Sequence, residues 1–181
     1  NINISYCKLL AKDTASVTTS TWLGAIRKAA NTGVLRNVHI DHNEISSGYY
    51  VIFLNAGLAG DTGSVYIDSN VITNAYRYGI YVQFADLYIR GNNMTMRATH
   101  YGGANMIFAN YACQGEISYN KLRCTTGANL EGISLGCVGK LNTPLMCANN
   151  DIALIATTMY HGITTRNLGG SFVHFINNSV L

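Results

Sequence analysis

One short phrase recurs along this chain and governs what it can fold into. It reads apolar, any, apolar, any, any, Asn, any, apolar, and a clear copy is Val38-His39-Ile40-Asp41-His42-Asn43-Glu44-Ile45. Further copies start at Val65, Leu87, Gly115, Leu145 and Val173, and place Asn70, Asn92, Asn120, Asn150 and Asn178 at the Asn position. An opening copy from Ile2 carries Cys7 instead of Asn. Successive Asn positions are separated by 27, 22, 28, 30 and 28 residues. Self-similarity at this period marks a solenoid, whose units bury their apolar faces only against one another.

The phrase alternates apolar and polar residues with period 2, and Val, Ile, Phe and Tyr dominate it, which predicts strands. A second strand signal follows most phrases, as Gly79-Ile80-Tyr81-Val82, Gly132-Ile133-Ser134-Leu135 and Gly162-Ile163-Thr164-Thr165, with looser versions at 48–53 and 104–108. Each coil therefore has three short strands: Gly-Ile-x-apolar, the apolar pair of the phrase, and the segment after its Asn. The one helix signal, at 22–30, is long enough for two turns. Asn suits the tight turn between the last two strands because it tolerates the left-handed conformation. Its amide can also reach the Asn of the next coil, about 4.8 Å away, so the six Asn are expected to form an internal ladder, capped at Cys7.

This pattern resembles the repeat of right-handed parallel β-helices of the pectate-lyase-like superfamily, and the resemblance runs along nearly the whole chain. The fold it implies is all-β, a single right-handed parallel β-helix domain over 1–181 of about seven coils. The phrases at both ends stand without a polar cap, so a piece of a longer protein is expected.

Composition narrows the function. Charged residues make up 12% of the chain, and the net charge of +3 is dispersed, so no basic patch offers a footprint for nucleic acid. No apolar run approaches the ~18 residues of a membrane span. Five Cys occur without a C-x-x-C pair, which reads as isolated thiols made in a reducing compartment rather than a zinc site. The five His lack metal-ligand spacing, and neither metal nor cofactor is expected.

Candidate chemistry comes from the residues the phrase turns outward. Stacked coils give one column of His39, Tyr66, Tyr88, Glu116, Met146 and His174, and a second of Asp41, Asp68, Arg90, Ser118, Ala148 and Ile176. Tyr66 and Tyr88 on adjacent coils suggest a flat platform for a sugar ring, with His39 beside them. Asp41 and Asp68 are expected roughly 5 Å apart, the separation of retaining glycosidases. Asp68 and Glu116, two coils apart, approximate the inverting geometry. Arg90 is placed to orient a substrate or steady Asp68. The alternative for these groups is a solvated ion pair and cross-strand packing. Long turns at 97–103, 125–130 and 156–161, and before the phrase at 56–64 and 136–144, are where a rigid stack places binding functions.

The apolar outward residues Met146, Ala148 and Ile176 suggest a protein contact. Low charge and abundant Asn, Tyr, Thr and Gly resemble trimeric phage tailspikes. The resemblance implies a homotrimer at a virion surface or outside a cell, binding or depolymerising a surface polysaccharide with Asp41, Asp68 and Glu116 as acids. The alternatives are a secreted pectate-lyase-like lyase or hydrolase and a non-catalytic adhesin.

Overall fold

Each inward Ile or Val of the phrase stands in parallel register with its counterparts one coil before and one coil after. The computed structural model describes residues 1–12, 23–28, 33–57, 63–112, 114–127, 129–155, 160–166 and 171–181. Their strands form three parallel sheets. Sheet A stacks Ile2–Ser5, Val38–Asp41, Gly63–Asp68, Ala85–Arg90, Gly115–Ser118, Leu145–Ala148 and Val173–Ile176. Sheet B stacks Lys8–Leu10, Glu44–Ser46, Val71–Ala75, Asn93–Met96, Lys121–Cys124, Asp151–Leu154 and Ser179–Val180. Sheet C stacks Ile26–Lys28, Tyr50–Asn55, Tyr78–Gln83, Ala104–Asn110, Leu130–Gly136 and Tyr160–Arg166. The three-strand coil is thus as the sequence predicts.

The coil interior is filled by the period-2 residues. Ile40, Ile67, Ile89 and Ile117 from sheet A, Ile72, Leu122 and Ile152 from sheet B, and Ile52, Ile80, Ile107 and Ile133 from sheet C are wholly buried. Each contributes about 1.5–3 kcal/mol relative to exposure. Truncating one, as in Ile67→Ala, should cost about 2–5 kcal/mol. Coils stack closely enough that Cβ is excluded at Gly79, where it would meet Met94 Cε at 2.2 Å and Met106 O at 2.7 Å.

Full enclosure extends over about five turns, against the seven expected. The end phrases supply strands, but their inward residues stay open: Ile2 is 45% and Phe175 49% exposed. The helix expected at 22–30 does not form where the chain is described. Ile26–Lys28 is a strand registered on Ile52–Leu54. Residues 22, 29 and 30 lie outside the described residues. A two-turn helix is marginal alone, whereas an extended segment gains sheet hydrogen bonds and seats Ile26 against the core.

The Asn ladder is present and saturated. Asn92 is typical: its Nδ2 donates to Ile67 O at 2.8 Å and to Asn120 Oδ1 at 3.0 Å. Its Oδ1 accepts from Asn70 N and Nδ2, both at 3.0 Å. All four hydrogen-bonding positions of the amide are used. Asn43, Asn70, Asn120 and Asn150 repeat these bonds, and Cys7 N closes the series on Asn43 Oδ1 at 2.9 Å. The left-handed residue of the turn is not the Asn but the one before it: His42 at φ 55°, Ser69 at 56°, Tyr119 at 56° and Asn149 at 54°. The ladder Asn is required for its amide, and the backbone bend falls on its neighbour.

Candidate glycan-binding faces

Sheet A brings the expected residues together in register. His39 pairs with Tyr66 and Tyr66 with Tyr88, while Asp41 pairs with Asp68 and Asp68 with Arg90. Glu116 follows Tyr88, and Ser118 follows Arg90. Both outward columns therefore run as predicted, and their carboxylates and rings share one face.

The contacts differ from a flat platform. His39 and Tyr66 stack with centroids 4.5 Å apart and planes 6° from parallel, and Tyr66 and Tyr88 stack at 4.8 Å and 7°. The three rings lie face to face along the solenoid axis, because each follows its Cβ out of an identical strand position. Both faces of Tyr66 and one face each of His39 and Tyr88 are spent in this stack, so a ligand lying along the strip meets ring edges, phenol hydroxyls and the imidazole rim.

Each carboxylate has its own partners. Asp68 receives Arg90 Nε on Oδ1 at 3.0 Å and Nη2 on Oδ2 at 2.7 Å. Asp41 Oδ1 accepts from Ser5 Oγ at 2.8 Å, and His42 Nδ1 lies 3.1 Å from Oδ2. Burial pushes the Asp41 carboxyl up, but bonds to His42 and Ser5 and the charges of His42 and His39 outweigh it and hold it below the usual range. Glu116 Oε1 accepts from Ser118 Oγ. Asp41 and Asp68 are coil neighbours about 4.8 Å apart along the sheet. Asp41 is nonetheless held ionised, which suits a hydrogen-bond acceptor and not a general acid. Farther along, Met146 is half-buried, Ala148 is buried and Ile176 is exposed. Among the described residues no His, Cys, Asp and Glu come together to hold a metal.

Two features of sheet C escape a reading based on the phrase. Its outer surface carries an aromatic cluster in which Tyr49, Tyr50 and Tyr78 are buried against Phe53, Tyr81 and Phe108. Arg77 is inserted beside it, donating to Tyr49 Oη at 2.6 Å with its guanidinium 5.0 Å from the Tyr78 ring and 4.7 Å from that of Tyr101. The second feature is a cavity of about 260 Å3 at the start of sheet C, lined by Gly102, Gly103, Asn129, Leu130, Glu131 and His161; residues 128 and 156–159 of the long turns expected there lie outside the described residues. Its signal is the residue just before each Gly-Ile strand, which aligns Tyr78, Glu131 and His161.

These features define the class: a three-sheet parallel β-solenoid with an internal Asn ladder and polar, aromatic outer faces. Comparisons with known protein families, with curated proteins and with solved structures return no match.

Proposed function

We propose that this chain is a carbohydrate-binding solenoid that receives a surface polysaccharide along sheet A. The observation that carries the reading is the strip in which the His39–Tyr66–Tyr88 ring ladder runs beside the Asp41–Asp68–Arg90 row. A glycan presents hydroxyl donors and acceptors at regular intervals. The strip offers carboxylates, a guanidinium, phenols and an imidazole, one residue of each column per coil, about 4.8 Å apart. Rigid strands hold these groups in place, so little side-chain entropy is lost on binding. Likeness of the repeat to the pectate-lyase-like superfamily, and of the composition to phage tailspikes, supports a place outside the cell or on a virion and a homotrimer; of the apolar outward residues, Met146 and Ile176 remain open to such a contact, while Ala148 is buried.

Binding without cleavage is the favoured form, because Asp41 is held ionised and Asp68 is engaged by Arg90. Cleavage by Asp68 with Asp41 or Glu116 is the second reading, favoured by the carboxylates sharing one face. The test is a polysaccharide panel titrated calorimetrically against wild type, Tyr66→Ala and Arg90→Ala, with circular dichroism to verify the fold. Each variant should lose at least about tenfold in affinity, the equivalent of ~1.4 kcal/mol. Folded protein that binds nothing in the panel, or variants that bind as wild type, would sink the reading. New reducing ends would favour hydrolysis, and an unsaturated ultraviolet-absorbing product a lyase.

A further inference from the structure

We propose that the cavity at the entrance to sheet C is a subsite for a single neutral sugar ring. The inference rests on reading the protein as a carbohydrate binder, and places a second, end-on contact on a different sheet from the strip.

The cavity lies at the start of sheet C and is lined from three successive coils. Gly102 and Gly103 come from one, Asn129, Leu130 and Glu131 from the next, and His161 from the third. Its rim is tied down. Gly103 N donates to Asn129 O at 2.7 Å, and Thr126 Oγ1 donates to Ala98 O at 2.8 Å. Asn105, beside Glu131 in register, donates from Nδ2 to Gly103 O at 3.1 Å. The site is therefore preorganised, which lowers the entropy lost on binding.

Its volume of about 260 Å3 lies just below the ~300–1,000 Å3 of sites for drug-sized ligands, so it suits one ring rather than a chain. The lining mixes apolar and hydrogen-bonding surface. Leu130 and the two glycines offer backbone and apolar contact, and Asn129, Glu131 and His161 offer polar atoms. A pyranose has this duality, with C–H faces and a hydroxyl rim.

Glu131 is the pivotal acceptor. Arg166 Nη2 donates to its Oε1 at 2.8 Å and Oε2 at 2.9 Å, while Arg166 Nε is anchored on Ser134 Oγ at 2.9 Å. A carboxylate has about four acceptor positions, so this pairing leaves lone pairs on both oxygens for adjacent hydroxyls. The side chain is only 16% exposed, which strengthens such bonds by excluding competing water. Arg166 neutralises Glu131, so the site does not call for a cation. A charged sugar would give up its hydration there without gaining a counter-ion, so the site favours a neutral ring.

Gly102 provides the discriminating variant. Among the described residues a Cβ there would meet Asn129 Nδ2 at 4.0 Å, an ordinary contact, so the backbone at this cavity wall accepts a side chain, and circular dichroism checks that Gly102→Leu keeps the fold. The experiment is saturation-transfer NMR with D-glucose, D-galactose, D-mannose and N-acetyl-D-glucosamine, with D-glucuronate as the charged control. Wild type should bind at least one neutral sugar with a Kd on the order of 1 mM, as a ligand of so few atoms allows. It should bind glucuronate at least tenfold more weakly. Gly102→Leu and Glu131→Ala should each weaken the neutral sugar at least tenfold and leave Tyr66-dependent polysaccharide binding unchanged. No saturable neutral-sugar binding by wild type, or binding that survives both substitutions, overturns the subsite. Sugar binding lost in Tyr66→Ala but not in Gly102→Leu also overturns it, by moving the ligand to sheet A. Monosaccharide binding with no Tyr66-dependent polysaccharide binding would instead leave the subsite standing and remove the strip.

Discussion

Arg90 meets Asp68 side-on across one coil, Nε on Oδ1 and Nη2 on Oδ2, so that both carboxylate oxygens are engaged by one rigid fork. The pairing follows from register, since the two residues occupy the same outward position in successive strands of sheet A. A planar guanidinium matches a carboxylate in a way an ammonium cannot. A nucleophilic Asp68 would attack with a carboxylate whose charge these bonds already stabilise, which weakens it as a nucleophile. The expected result for Asp68→Asn is therefore no change in product release from any glycan that wild type binds. A loss of more than about tenfold in cleavage rate, with the melting temperature unchanged, would restore the carboxylate mechanism. Because the pair is partly exposed, its removal should move stability by no more than ~1 kcal/mol.

The ladder is a different matter. Removing the Asn92 amide leaves Asn70 N and Nδ2, Ile67 O and Asn120 Oδ1 each short of a bond, in a site closed to water. An unsatisfied buried group costs about 1–3 kcal/mol, and neighbouring losses do not add fully. Asn92→Ala should lower unfolding free energy by about 3–5 kcal/mol in urea melts. Asn178→Ala, at a half-buried rung, should lose about 1–2 kcal/mol because water can replace the bonds. Equal losses at the two rungs would mean that the ladder bonds are not what stabilises the stack.

Why some of this could be read in advance is a matter of period. Val65, Ile67 and Ile72 alternate with polar residues because one strand face is buried, so two sheets, their register and the Asp68–Arg90 contact are written in the phrase. The Asn ladder is legible because each rung needs the same amide. The left-handed turn residue is not, since His42, Ser69, Gly91 and Tyr119 share no side-chain chemistry. Nor is the orientation of the ring ladder, which depends on how His39 and Tyr66 rotate about Cβ. The cavity was hidden for another reason. Gly102, Glu131 and His161 are brought together by turns of unequal length, which the phrase does not count. Residues 26–28 mislead because Ile26-Arg27-Lys28 has fair helix propensity, and only the sheet edge beside Ile52 draws it into a strand.

Asp41 makes the acid response testable. The bonds from His42 and Ser5 lower its folded pKa, so as pH falls the unfolded chain takes up this proton first. The stabilisation is present above the ordinary Asp value, about 3.9, and is lost as pH drops through the lower folded value. Thermal melts between about pH 5 and 2 should therefore fall more steeply for wild type than for Asp41→Asn. Asp151, held low first by its bond to Arg123, titrates in the same window in both proteins and cancels from the comparison. Parallel curves would remove Asp41 as a contributor to acid sensitivity.

Thiol labelling separates core from surface. Cys147 replaces the Ile of the phrase, sits wholly buried, and has its thiol pushed up to about 12 by burial, which the Asn150 amide only partly offsets. Cys124 is buried and shifted in the same direction. Cys7 is exposed where the ladder begins, its Sγ resting 3.3 Å from Ser5 O. Alkylation proceeds through the thiolate and needs access, so both factors act against the buried pair. Native protein treated with iodoacetamide at about pH 8 should be modified at Cys7 and protected at Cys124 and Cys147 until denaturant is added. Peptide mass spectrometry reads each site separately. Cys147 labelled as fast as Cys7 in folded protein would mean that its coil opens on the timescale of the reaction, and that the closed core of sheet A does not extend to Leu145–Ala148.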